Sequence, residues 1–207
     1  MTVHRHCDLI YPYFVAATIK DCSDHIQDDS KSGVKAVSIG ELSMDTMCDQ
    51  ESLDGGWTLY QRRVYPFPLS FNKTWKEYKE GFGDPTKEFW LGNEIVYRMT
   101  NEKDYQIMHK FRTEEMTEPD EPLRIVFPRF RLFPESSAYK LDWEVPFAYA
   151  RQDPFFTYNG DSFGTLDGPI VGLRKCATKY GYNGWWMYHC DPSVSTTNGY
   201  GFSNMTS

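Results

Sequence analysis

Five cysteines, Cys7, Cys22, Cys48, Cys176 and Cys190, constrain this chain most, because no two of them stand at CxxC spacing. Zinc sites and thioredoxin-type chemistry rely on such close pairs. The simplest remaining use is two disulfides with one cysteine left over, and disulfides persist in oxidising compartments. The sequons Asn72-Lys73-Thr74 and Asn204-Met205-Thr206 agree with that placement and mark Asn72 and Asn204 as glycosylation candidates.

The segment 1–20 reads as an N-terminal extension or weak signal-like stretch. Its apolar-leaning run from Leu9 to Ile19 is interrupted by Pro12 and preceded by Asp8. Cleavage after Ala17 removes Cys7 and leaves four cysteines; if Cys7 is retained, it is left to bridge two chains. No apolar run approaches the length of a membrane-spanning helix.

The 207 residues suffice for one substantial core, with 40% hydrophobic and 16% aromatic residues and no polar tract that would mark disorder. A formal charge of -7 sets the surface against phosphate backbones, which excludes nucleic acid as the expected partner. The acidic run "TEEMTEPDEP" at 113–122 holds two prolines and reads as a solvated loop.

Local patterns place the elements. Residues 21–31 read as a helical turn, followed by a strand in "GVKAVSIG", and "GGWTLYQRRV" at 55–64 reads as a second strand leaving a glycine turn. Thr74 and Glu77 have the spacing of a capping box, with Trp75, Tyr78 and Phe82 on one face and Gly81 and Gly83 at the end. Leu91, Ile95 and Met99 predict a further short helix. "LRIVFPRFRLF" at 123–133 predicts a strand that Pro128 bends or confines to an edge, with Arg129 and Arg131 outward. From Pro154 onward no period persists, so the last quarter reads as loop-built. Short helices with antiparallel strands define an α+β domain.

The stretches "DCSD", "CDQESLDGGWTLYQRR", "WKEYKEGFGDPTKEFWLGNEIVYRMT" and "CATKYGYNGWWMYHC" together resemble a fibrinogen C-terminal domain. The resemblance runs from about Asp21 to Gly199, is strongest over 48–100 and is loose over 101–165. It implies a domain over 21–207 with a twisted, mainly antiparallel sheet, short N-terminal helices and a loop-rich C-terminal ligand region. It also implies the pairings Cys22 with Cys48 and Cys176 with Cys190, and a cis bond at His189-Cys190.

Such domains are non-enzymatic recognition modules of secreted or matrix proteins. Ficolin and tachylectin members bind acetylated sugars in innate defence, fibrinogen binds peptide knobs, and angiopoietin-like or tenascin-like members bind receptors and matrix. The first expectation is therefore a secreted, lectin-like domain for acetylated glycans, with Tyr182, Tyr188, His189, Asp191 and Tyr200 at the ligand. The alternative is a module that binds extracellular proteins and no sugar. Trp185 and Trp186 read as core rings bracing the second disulfide.

The chain departs from the family in three places. Where the family's calcium site has closely spaced aspartates, only Asp167 stands, followed by Gly168-Pro169, with Asp161 as a substitute, so calcium is expected weakly if at all. Asp191 replaces a histidine after the second cysteine, an acceptor for a possible donor. The ending "GYGFSNMTS" leaves the family's final strand missing. An upstream stalk or Cys7 is the expected route to an oligomer. His4, His6 and Cys7 form a metal-like cluster in the terminal extension, and without a carboxylate pair or nucleophile motif no enzyme is expected.

Overall fold

The computed structural model describes residues 21–26, 31–111, 121–144, 159–179, 183–187 and 205–206. Asp21 opens a 3-10 turn, Cys22–His25, through a reciprocal capping box with Asp24. A hairpin follows: β1 (Gly33–Ile39) and β2 (Leu42–Asp49) pair from Gly33 opposite Cys48 to Ile39 opposite Leu42. Gly40 turns the corner at φ +60°, the first central position of a two-residue hairpin loop, where glycine adopts the required conformation freely.

The single strand expected over 55–64 is divided. β3 (Trp57–Thr58) pairs with β2, whereas β4 (Gln61–Arg62) belongs to the large sheet. The chain changes neighbours between Leu59, whose N–H donates to Met47 O, and Tyr60, whose carbonyl accepts from Leu91 N–H. Pattern alone does not show this, because both halves are equally suited to a pleated surface.

α1 (Trp75–Glu80) starts as its sequence predicts: Thr74 Oγ1 accepts from Glu77 N–H at 3.2 Å, and Glu77 Oε2 accepts from Thr74 N–H at 2.8 Å. β5 (Phe82–Gly83) and β6 (Phe89–Trp90) lead into α2 (Asn93–Glu102), which buries Ile95, Val96 and Met99. β7 (Tyr105–Phe111), β8 (Leu123–Leu132) and β9 (Leu141–Glu144) form an antiparallel run. β10 (Phe163–Gly164) and β11 (Trp185–Trp186) form a two-stranded sheet flanking α3 (Val171–Lys179). β12 (Met205–Thr206) completes a seven-stranded sheet in the order β5-β6-β4-β12-β7-β8-β9.

Two expectations change. β8 is an interior strand, not an edge; Pro128 is accommodated where the β7–β8 register slips between Ile107 opposite Phe127 and Tyr105 opposite Phe130. A bulge there leaves an extra residue without a ladder bond, which suits proline's missing N–H. The last quarter is not wholly loop-built, because α3 lies within it. Its inward residues, Leu173, Cys176 and Ala177, keep helical spacing, but only one of them is large and apolar, so the period is faint. β12 places two residues between β4 and β7.

The core is ring-built around Tyr78, Trp90, Tyr139, Phe71, Phe127 and Phe163, all fully buried. His109 is buried in it beside Phe127, at a centroid distance of 5.3 Å, and Trp143, at 5.9 Å. Burial pushes its imidazole down to about 4. An unfolded histidine titrates near 6.5, so the folded group is the depressed one and its contribution to stability is complete above about pH 6.5. Below that, stability falls by about 1.4 kcal/mol per pH unit until the folded value is passed. Denaturant unfolding at pH 7 and pH 5 should therefore show an acid loss of about 2 kcal/mol that His109→Phe removes; an unchanged pH slope in the variant would contradict the assignment.

Candidate functional site

Asn183, Gly184, Trp185, Trp186 and Met187 are all buried. Gly184 N–H donates to the Tyr78 hydroxyl at 3.0 Å, and that hydroxyl donates to Phe71 O at 2.7 Å, which ties the segment to α1. Trp186 Nε1–H donates to Tyr139 O at 2.8 Å, and its ring meets Phe163 edge-on at 5.0 Å. With Trp185 and Trp186 only 5% and 3% exposed, these rings pack the core, as their sequence context suggested, and offer no face to a ligand. They form the floor of the region.

Tyr182, Tyr188, His189, Asp191 and Tyr200, together with the His189-Cys190 bond and Asn204, lie outside the described residues. Cys22–Cys48 is a disulfide with Cα atoms 5.5 Å apart. Cys176, on α3, is disulfide-bonded, and its expected partner Cys190 is outside the described residues.

Beside the floor runs a ledge, residues 165–174. Asp167 Oδ1 accepts from Trp75 N–H at 2.8 Å and from Thr165 Oγ1–H at 2.9 Å, so this carboxylate fastens the ledge to the start of α1. Arg174 Nε–H donates to Gly168 O at 2.8 Å and closes it onto α3. The Asp161 side is buried, and its carbonyl accepts from Leu141 N–H. Among the described residues no group of three or more His, Cys, Asp or Glu is placed to hold a metal ion. Of the two aspartates expected at a calcium site, Asp167 places one carboxylate oxygen on two protein donors. Ile170 and Val171 project from the ledge, 37% and 65% exposed.

At the opposite end, Asp21 locks the first disulfide to the large sheet. Its carboxylate receives Lys103 Nζ at 2.6 Å, Ser23 N–H at 2.9 Å and the Tyr105 hydroxyl. Burial raises this carboxyl, and the hydrogen bonds from Lys103, Ser23 and Tyr105 outweigh it, so Asp21 sits below the usual carboxylate range. Burial, then the bond to Asp21, push the Tyr105 phenol up. Next to this lock lies a cleft of about 280 Å³ between residues 55–60 and 105–108. Sequence reasoning missed the cleft and the exposed Ile170-Val171 pair; the cleft joins segments far apart in the chain and has no local signal.

The comparisons agree with this architecture. The profile of "Fibrinogen beta and gamma chains, C-terminal globular domain" matches residues 18–207. Angiopoietin-1 of Sus scrofa is 32% identical over 178 residues, covering 84% of this chain and 34% of its own length. Among solved structures, the fibrinogen-like globe domain of human ANGPTL2 is similar at 27% identity and TM-score 0.74, covering 91% of this chain and 96% of that one. Lamprey fibrin D-dimer, complexed with the peptide ligand Gly-His-Arg-Pro-amide, is similar at 25% identity and TM-score 0.69, covering 98% and 76%. The chain belongs to the fibrinogen C-terminal domain family. It spans about a third of the length of the curated relatives it matches, 34% for Angiopoietin-1. Among the described residues no helix is long and apolar enough to cross a membrane.

Proposed function

We propose that this chain is a non-enzymatic extracellular recognition domain that binds another protein. The observation that carries the reading is the kind of relative it has: an angiopoietin by sequence, and a fibrin fragment complexed with a peptide by structure. The buried Cys22–Cys48 disulfide supports an oxidising, secreted setting. Two local facts favour protein over sugar. Trp185 and Trp186 are consumed in packing, while Ile170 and Val171 stand exposed at the start of the helix that carries Cys176, as apolar anchors of a protein interface do. The acetylated-glycan expectation draws no support from the relatives named above. Passage of the oxidised protein over N-acetylglucosamine beads, with and without chelator, should show no retention; retention released by the free sugar would overturn the protein-binding reading in favour of a lectin.

The same extracellular setting makes Asn72 a glycosylation site. Asn72 is exposed on the approach to α1, and Thr74, the third residue of its sequon, is also the helix cap. The two roles separate by mutation. On secretion from mammalian cells, Asn72→Gln should remove one glycan and leave the unfolding midpoint of deglycosylated protein unchanged. Thr74→Ala should remove the glycan and also about 1 kcal/mol of stability. Equal stability of the two variants after deglycosylation would contradict the cap.

A further inference from the structure

β4 leads into an apolar loop that stands out from the fold. From Val64 to Asn72 no residue is charged. Val64 and Tyr65 are 37% and 68% exposed, Pro66 and Pro68 are exposed, and Phe67 is half-buried with its ring edge-on to Tyr65 at 5.9 Å. A buried ion pair holds this loop by both ends. Glu88, its side chain 2% exposed, accepts from Val64 N–H at 3.0 Å through Oε1 and from Leu69 N–H at 2.7 Å through Oε2. Arg63 stands 3.6 Å from the same carboxylate, donates through Nη1 to Leu69 O at 3.1 Å, and lies 4.0 Å over the Phe71 ring and 5.3 Å over the Phe67 ring. Phe67 N–H donates to Val64 O at 2.8 Å, and Pro66 and Pro68 have no N–H. Val64, Pro66, Phe67, Pro68 and Leu69 therefore have no backbone donor left to offer.

We propose that the loop 64–69 enters the interface of a zwitterionic lipid bilayer. Its chemistry favours lipid over a pocket on a protein. Protein interfaces carry roughly one hydrogen bond per 100–200 Å², whereas this loop brings no charged side chain and has spent the N–H groups named above. The lipid phase penalises an unsatisfied donor and requires none. Tyr65 supplies an exposed ring with a polar tip, which settles at headgroup level. Arg62 precedes the loop on β4; its guanidinium reaches the Thr86 carbonyl at 3.5 Å and meets no carboxylate among the described residues, so it is placed for a lipid phosphate. The formal charge of -7 selects a neutral surface over an anionic one.

The loop is held in shape before it meets the bilayer, so little ordering is needed on contact. Its affinity is nevertheless low: a single myristoyl chain reaches an association constant of only about 10⁴ M⁻¹, and a shallow loop lies below that. It therefore assists a contact made near a membrane and does not by itself hold the domain on a cell. It is separate from the ledge at Ile170-Val171, so it goes beyond the protein-binding reading and does not depend on it.

The test floats the oxidised 207-residue chain with phosphatidylcholine vesicles. At about 5 mM lipid roughly half of the chain should float, with little change on adding salt. Replacing about a third of the lipid by phosphatidylserine should lower that share. Tyr65→Asp, at a position exposed enough to leave the unfolding midpoint unchanged, should bind at least about tenfold more weakly, while Val171→Glu should float as the parent does. No flotation of the parent, equal flotation of Tyr65→Asp, or flotation that rises with phosphatidylserine would overturn the proposal. So would a parent that fails to float while Tyr65→Asp abolishes trypsin-sensitive binding to cells, which would assign the loop to a protein interface.

Discussion

Replacing Cys22 and Cys48 together by alanine should lower the stability of the domain by about 3.5 kcal/mol. The bridge closes a loop with a sequence separation of 26, and on the chain-entropy model a loop of that size restricts the unfolded chain by that amount. The loop holds both strands of the β1–β2 hairpin, which has a small satellite core of Cys22, Val37 and Cys48 with Met44 against it. So few apolar contacts cannot replace the cross-link. The lock between Asp21 and Lys103 is next in the chain and depends on Cys22 being held, so it should loosen with the disulfide. Guanidinium unfolding of the double variant beside the oxidised parent measures the loss. A difference below about 1 kcal/mol would show that the hairpin holds its place without the bridge.

Gly184→Ala should cost roughly 3 kcal/mol, at the upper end of overpacking effects. A Cβ at 184 would lie 2.5 Å from Cε2 and 2.8 Å from Cδ2 of Tyr78. The ring cannot step aside, because it is fully buried, its hydroxyl bonds to Phe71 O, and Phe82, Trp90 and Phe163 surround it. Moving residue 184 instead breaks the bond from its N–H to the Tyr78 hydroxyl. Gly172→Ala supplies the contrast: nothing lies within 4 Å of its Cβ position, and it sits in α3, where alanine is favoured by up to about 1 kcal/mol. Thermal unfolding should move down for the first variant and slightly up for the second. A neutral Gly184→Ala would mean that the signature segment is held less firmly than its hydrogen bonds indicate.

Local chemistry made the helical parts of this fold readable in advance. The Thr74–Glu77 box and the Ile95–Met99 spacing each depend on residues within one or two turns, and both appear as expected. β2 escaped because Ser43, Asp45 and Asp49 are poor strand residues; what makes them a strand is β1 paired from Leu42 to Cys48 and β3 paired at Cys48 and Asp49, contacts no local window contains. The split of β3 from β4 has the same cause, a change of partner between Leu59 and Tyr60. For the site, the order "GWW" before Cys190 correctly marked packing rings, while the residues expected to meet a ligand lie outside those described. From its neighbours in the chain Asp167 reads as what is left of a calcium site, with calcium expected weakly if at all. Its neighbour in space, the Trp75 N–H, belongs to a residue far off in sequence and gives it a structural role.

Binding to cells tests the recognition reading most directly. The oxidised domain, clustered to raise avidity, should bind a cell surface saturably. That binding should vanish after trypsin treatment of the cells, persist in excess free N-acetylglucosamine, and fall at least about tenfold for Val171→Glu, whose exposed position leaves the unfolding midpoint unchanged. Binding that survives trypsin and is competed away by the sugar would contradict the account.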